Sequence, residues 1–250
     1  MSKDALSIRQ KEFYEIRTRS YLPRRTYTII RLDGKSFKNY TRGLDKPFDE
    51  DLIEAMNKTA IYICKNIQGA KLAYVQSDEI TIVMTDFDNL ETEAWFDGEV
   101  QKMVSVSASM ATREFNRERM VQQLLKGVDP ILILAGKLAE FDSRTFTIPF
   151  KNEVLNNLIW RQRDCVRNSI SSVAQSLYSH SELEGKNQSD MQEMCFQKGV
   201  NWNDYSDDKK RGRLIYKKED TDGKNRWISS AAPDFGKDRE LFDKLIGDGE

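Results

Sequence analysis

Apolar positions recur at two different periods along this chain, and the change of period falls near residue 150. Over 5–20 the spacing predicts a helix, and 27–32 reads as a strand. Asp49 is placed to cap a helix whose apolar residues Leu52, Ile53, Met56, Ala60, Ile63 and Ile67 recur at helical spacing. Two strands follow, over 71–76 and 80–85, joined by a tight turn at Ser77-Asp78. A long helix over 96–119 carries Val100, Met103, Val104, Ala111 and Phe115 on one side. Its interleaved Ser105, Ser107, Ala108 and Ser109 suit close packing on a sheet. A strand over 144–148 closes this half, with a further apolar strand over 131–134 ahead of it. The order β-α-β-β-α-β predicts an α+β fold, a ferredoxin-like palm with helices on one face of an antiparallel sheet.

Past Pro149 the period is helical. Leu155, Leu158, Ile159, Gln162, Val166, Ser169, Val173 and Leu177 mark one helix to about residue 179. Ser189 and Gln192 form a capping box for another, which ends near Gly199, and 183–188 reads as an exposed loop. Segments 213–217 and 226–229 pair as a hairpin around the turn signal Asp222-Gly223, and the tail from Pro233 reads as weakly ordered. The expected division is a catalytic palm over 1–150 and a mainly helical extension over 151–250, its small hairpin packed on the palm.

Composition narrows the setting. Hydrophobic residues make up 39% and charged residues 32%, which suits a soluble globular protein rather than a disordered one. No apolar run nears the ~20 residues of a membrane span. The first residues match neither a signal nor a transit peptide, so a cytoplasmic protein with no membrane partner is expected. Cys64, Cys165 and Cys195 lack metal-ligand spacing and read as small buried hydrophobes. A net charge of −1 gives no global argument for nucleic-acid binding, but the distribution is uneven. Lys209, Lys210, Arg211, Arg213, Lys217 and Lys218 form one cluster, and Arg17, Arg19, Arg24 and Arg25 another. Each suits either a solvated surface or a phosphate contact.

The candidate chemistry lies at strand ends. "RLDGKSF" (31–37) and "YVQSDEITIV" (74–83) each put an aspartate, Asp33 and Asp78, at the end of an apolar strand. The predicted topology brings the two together. Such a pair suits two Mg²⁺ ions roughly 3.5–4 Å apart, clamping a phosphate between attacking and leaving oxygens. Gly34 lets backbone N–H groups approach phosphate oxygens, and Lys35, Ser36 and Phe37 continue as a tight loop of the same use. Lys35 and Lys46 are candidate counter-charges, and the combination points to nucleotidyl transfer. Asp-Gly and hairpin-turn aspartates also occur for conformational reasons alone, and Glu79 beside Asp78 equally suits a solvated role. This is no Walker A loop, because the spaced glycines are missing. His180 is the only histidine and sits near a helix end, so acid–base work falls to metal-bound groups. Arg163, Arg167 and Asn168 form either an exposed stripe or a phosphate and base-contact surface, while Trp160 is expected in the core.

"RLDGKSF", "QSDE", "FDSR" (141–144), "WRQRDC" (160–165) and "KKRGRLIYKK" (209–218) resemble, in that order, motifs of the tRNA(His) guanylyltransferase family. The resemblance runs from about Phe13 to Lys218. It implies a palm-type enzyme that adds nucleotides to the 5′ end of tRNA, after ATP or GTP activates a 5′ phosphate. It implies that Asp33, Gly34 (through its carbonyl) and Asp78 bind the metals, with Glu79 as the neighbouring acid. Lys46 and Ser77 match residues implicated in nucleotide handling. Transfer RNA contacts are expected from the basic segments, including Arg163, Arg167, Asn168, Lys209, Lys210, Arg211 and Arg213, and assembly as a homotetramer is expected because members commonly form one. Eukaryotic members carry "HINxxYN" after the "WRQ" segment, where this chain has Val166 to Ser172 and keeps only the first asparagine. The sequence thus looks like the bacterial and archaeal branch, which performs templated 3′-to-5′ repair of 5′-truncated tRNA. The alternatives are non-templated tRNA(His) guanylylation, a nucleotidyl cyclase-like palm enzyme and a non-catalytic RNA-binding protein.

Overall fold

In the computed structural model, which describes residues 4–247, six strands form one sheet. They are β1 (Tyr27–Gly34), β2 (Ala70–Gln76), β3 (Glu79–Met84), β4 (Phe141–Ile148), β5 (Arg213–Glu219) and β6 (Asn225–Ala231). Their order in space is β4-β1-β3-β2-β5-β6, each antiparallel to its neighbours. The first four give the expected palm. The hairpin β5–β6 joins the free edge of β2 and continues the same sheet.

The helices are α1 (Ala5–Gln10), α2 (Phe37–Tyr40), α3 (Glu50–Asn66), α4 (Val100–Leu125), α5 (Pro130–Leu134), α6 (Lys151–Leu177), α7 (His180–Leu183), α8 (Gln188–Gln197), α9 (Asp207–Arg211) and α10 (Glu240–Ile246). Alternation along the strands sorts side chains between two cores. Ile30, Leu32, Val75, Ile80, Ile82 and Ile215 pack on Met56 and Ala60 of α3 and Met103 and Phe115 of α4. Tyr27, Ile29, Leu72, Tyr74, Val83 and Leu214 turn the other way, onto Leu155 and Leu158 of α6 and Phe242 of α10. The sheet is therefore covered on both faces, with α3 and α4 on one side and α6 and α10 on the other. Helix α3 begins where Asp49 accepts a hydrogen bond from the Leu52 amide at 2.8 Å.

Several expectations are corrected. Residues 131–134 are helical rather than extended, because Asp129 caps the segment and Pro130 occupies its first turn. Helix α4 starts at Val100, since Phe96 and Asp97 adopt left-handed backbone conformations ahead of Gly98. The capping box of α8 is Asn187 with Asp190, so this helix starts two residues earlier than a Ser189 cap places it. The tail after Pro233 is anchored, with Phe235 and Phe242 fully buried. Trp160 lies outside the core at 50% exposure, because Leu158, Gln162 and Cys165 hold the inward side of α6. All three cysteines are buried, and no helix among the described residues is long and apolar enough to cross a membrane.

Candidate active site

Three strand ends converge at one end of the sheet. Register places Asp33 of β1 directly across from Asp142 of β4, while the Leu32–Ile80 pairing brings β1 alongside the β2–β3 turn that carries Ser77 and Asp78. Burial pushes the Asp78 carboxyl up to about 6, and the charges of Asp33 and Glu79 add to this against hydrogen bonds within the turn. Asp33 is raised as well, first by burial and then by the charges of Glu79 and Asp142. Packed carboxylates that resist ionisation form a site which a cation relieves.

The donors fit Mg²⁺. Among the described residues no group of three or more histidine, cysteine or carboxylate side chains converges into a closed metal cage. An open pair of carboxylates suits this ion, which usually takes one or two of them and completes its octahedron with water and substrate phosphates. Gly34 makes room for the pair. A Cβ built there would lie 2.9 Å from Oδ2 of Asp78 and 2.3 Å from the Phe37 ring. Gly34→Ala is therefore expected to lower single-turnover nucleotide transfer roughly 100-fold by displacing the carboxylate. Undiminished transfer would show that this close approach is dispensable.

Glu79 has a different setting from the aspartates. Arg161 of α6 grips it with Nε at 2.8 Å and Nη2 at 2.5 Å, and Thr81 and Gln76 donate to it at 3.2 and 3.3 Å. Both oxygens are thus engaged, so Glu79 anchors the hairpin to α6 rather than standing as a free base. Lys35 is paired with Glu140 at 2.6 Å, and Ser36 takes a left-handed conformation ahead of α2. Phe37 is buried among Tyr40, Phe115 and Phe141.

Beside the Asp78 turn opens a cavity of about 410 Å³. The loop before α3 gives it Lys46, the turn Gln76 and Ser77, α6 Asn168 and Ser172, and the C-terminal segment Lys209 and Arg213. The structure thus gathers Lys46, Ser77, Asn168, Lys209 and Arg213 at one opening. It does not bring the other basic residues there. Arg167 turns onto Asp164 at 2.6 Å, Arg163 is exposed, and Arg211 pairs with Asp207. Lys210 donates to the Asn203 carbonyl at 2.9 Å, and Lys209 pairs with Glu50. Arg213, expected on an RNA-facing surface, is 5% exposed, because pairing of β5 with β2 carries its side chain inward onto Asn57. Reading the sequence also missed Arg161 and Asp142. Both lie inside quoted motifs, where the inward side of α6 and the strand alternation around Asp33 would have marked them.

The chain is similar to proteins of one family. The family described as Thg1: tRNAHis guanylyltransferase matches residues 8–149. An uncharacterised protein, R259, of Acanthamoeba polyphaga mimivirus is 32% identical over 178 residues, 66% of this chain and 61% of the viral protein. The chain thus spans less than two thirds of that relative. A probable tRNA(His) guanylyltransferase of Dictyostelium discoideum is 26% identical over 77% of this chain and 75% of its own length. Among solved structures, a bacterial tRNA(His) guanylyltransferase (Thg1)-like protein in complex with ATP superposes with a TM-score of 0.87 and 41% identity, over 97% of this chain and 99% of that one. The similar protein in complex with GTP gives 0.79 and 40% over the same shares.

Proposed function

The chain belongs to the tRNA(His) guanylyltransferase family, and from that premise we propose that it repairs 5′-truncated tRNA by templated 3′-to-5′ nucleotide addition. The observation carrying this reading is the Asp33–Asp78 pair beside a cavity that Ser77, the neighbour of Asp78, helps to line. In the first step an oxygen of the 5′-monophosphate attacks the α-phosphorus of ATP or GTP, and pyrophosphate leaves. In the second, the 3′-hydroxyl oxygen of the incoming nucleoside triphosphate attacks the activated 5′ phosphorus, and the nucleoside monophosphate leaves. Asp33, Asp78 and the Gly34 carbonyl would hold Mg²⁺, which would neutralise the phosphate charge. Lys46 and Ser77 meet the activating nucleotide at the cavity, and Arg161 fixes the hairpin through Glu79.

The templated form draws support from 166–172, where no imidazole stands. Asn168 lines the cavity there, while Ser169 is buried against the Lys210 carbonyl and the Trp202 indole N–H. The single histidine, His180, is exposed on α7. Exposed Leu125, Ile131, Leu132 and Leu134 near the end of α4 and on α5 support assembly as a homotetramer. The test supplies Mg²⁺, ATP and all four nucleoside triphosphates with a tRNA lacking its first nucleotide, while the opposing base is varied. Addition of the Watson–Crick partner in each case is expected. Guanosine added whatever the opposing base would replace this reading with tRNA(His) guanylylation, and no addition would overturn it.

A further inference from the structure

Arg213 is a buried cation on which Asp208 and Glu50 act from beyond ion-pair distance. Its side chain is 5% exposed, and among the described residues no carboxylate forms an ion pair with it. Nε donates to Oδ1 of Asn57 at 3.1 Å, while Nη2 is buried with no hydrogen-bond partner. A guanidinium cannot escape burial by losing its proton, so an unpaired one is retained only against its own destabilising effect. The residue borders the cavity, as does Gln76, whose Oε1 is likewise buried and unpartnered. A donor seeking an anion and an acceptor seeking an O–H or N–H match a nucleotide better than a simple ion.

We propose that Arg213 is the phosphate receptor of the cavity, its guanidinium swinging to an oxygen of the activating nucleotide while the Gln76 amide turns to accept from that nucleotide's ribose hydroxyl or base amino group. This rests on the nucleotide reading of the cavity and adds a residue to it. Two phosphates could meet that guanidinium, the nucleotide's and the one on the tRNA 5′ end. The choice falls on the nucleotide because the cavity walls come from 38–53, the β2–β3 turn, α6 and the C-terminal segment, and enclose a molecule of that size.

The test compares wild-type protein with Arg213→Met and Arg213→Lys in three measurements. These are ATP affinity by calorimetry, affinity for a 5′-phosphorylated truncated tRNA, and the melting temperature without ligand. Arg213→Met is expected to weaken ATP roughly 10- to 100-fold and to leave tRNA affinity unchanged. Its ligand-free melting temperature should equal or exceed that of wild type, since an uncompensated buried charge is gone. Arg213→Lys, which keeps the charge but loses the fork, should bind ATP with intermediate affinity. A structural arginine would instead lower the melting temperature and leave ATP affinity intact, overturning the proposal. Loss of tRNA affinity alone would overturn it too, assigning the guanidinium to the RNA phosphate. If ATP binding depends on Arg213 yet the wild-type protein extends no truncated tRNA, the receptor stands and the repair reading falls. If extension is templated and Arg213→Met binds ATP normally, the reverse holds.

Discussion

Asp78→Asn is expected to reduce nucleotide addition to truncated tRNA by roughly a thousandfold or more, and yet to melt at a higher temperature than wild type at neutral pH. The two effects share a cause. Burial lifts this carboxyl from 3.8 to about 6, so the folded chain holds the proton more tightly than the unfolded chain does. Its contribution to stability is therefore full below the unfolded value and is lost as pH rises to about 6. Above that, the ionised group opposes folding by about 3 kcal/mol in metal-free protein. Asparagine removes this opposition, and a gain of several degrees follows for a chain of this size. Melts in EDTA across a pH series check the point, since the gain should vanish below about pH 4. Equal melting at pH 8 would show that the carboxylate is not destabilised by its setting. Asp33→Ala should abolish transfer similarly, and Mg²⁺ should restore activity to EDTA-treated wild type but to neither variant.

The second large effect concerns Glu79 and Arg161. Removing one partner, as in Arg161→Ala, leaves Glu79 buried with only the Thr81 and Gln76 hydrogen bonds and should destabilise by about 3–5 kcal/mol. For a single domain of this length that lowers the melting temperature by about 10 °C. Transfer should fall as well, because the ion pair ties the turn bearing Asp78 to α6. The double variant Glu79→Leu with Arg161→Met, apolar on both sides, should recover most of the stability. Thermal melts of the two singles and the double form a complete cycle. An unchanged melting temperature for Arg161→Ala would mean that water reaches the pair freely.

The end of the sheet that carries Asp33 and Asp78 is readable because its information is local. Asp33-Gly34 and Ser77-Asp78 each follow a strand whose alternation is plain, and antiparallel pairing then brings them together. What stayed hidden depended on distant partners. Arg213 sits in a run of basic residues and reads as surface until β5 is known to pair with β2. Arg161 reads as one more charge on α6 until Glu79 is found beneath it. The tail after Pro233 lacks a strong period of its own, and only the Phe235 and Phe242 sockets in the second core order it. Trp160 reads as core from its apolar neighbours, although the helical period turns it outward to meet Arg31 and Arg161, whose guanidinium carbons lie 5.5 and 4.6 Å from its ring centre.

The hairpin that completes the sheet also sets a timetable. The hydroxyl of Tyr74 bonds the Arg211 carbonyl across a separation of 137 residues, and β2 keeps one edge unpaired until β5 arrives. During synthesis the four palm strands, and with them both aspartates, can assemble once β4 has left the ribosome. Asn168, Lys209 and Arg213 follow later, so the walls of the cavity close after the strands that carry the aspartates. A nascent chain therefore holds the paired aspartates with no cavity wall beside them, and the candidate site is whole only once synthesis has passed β5.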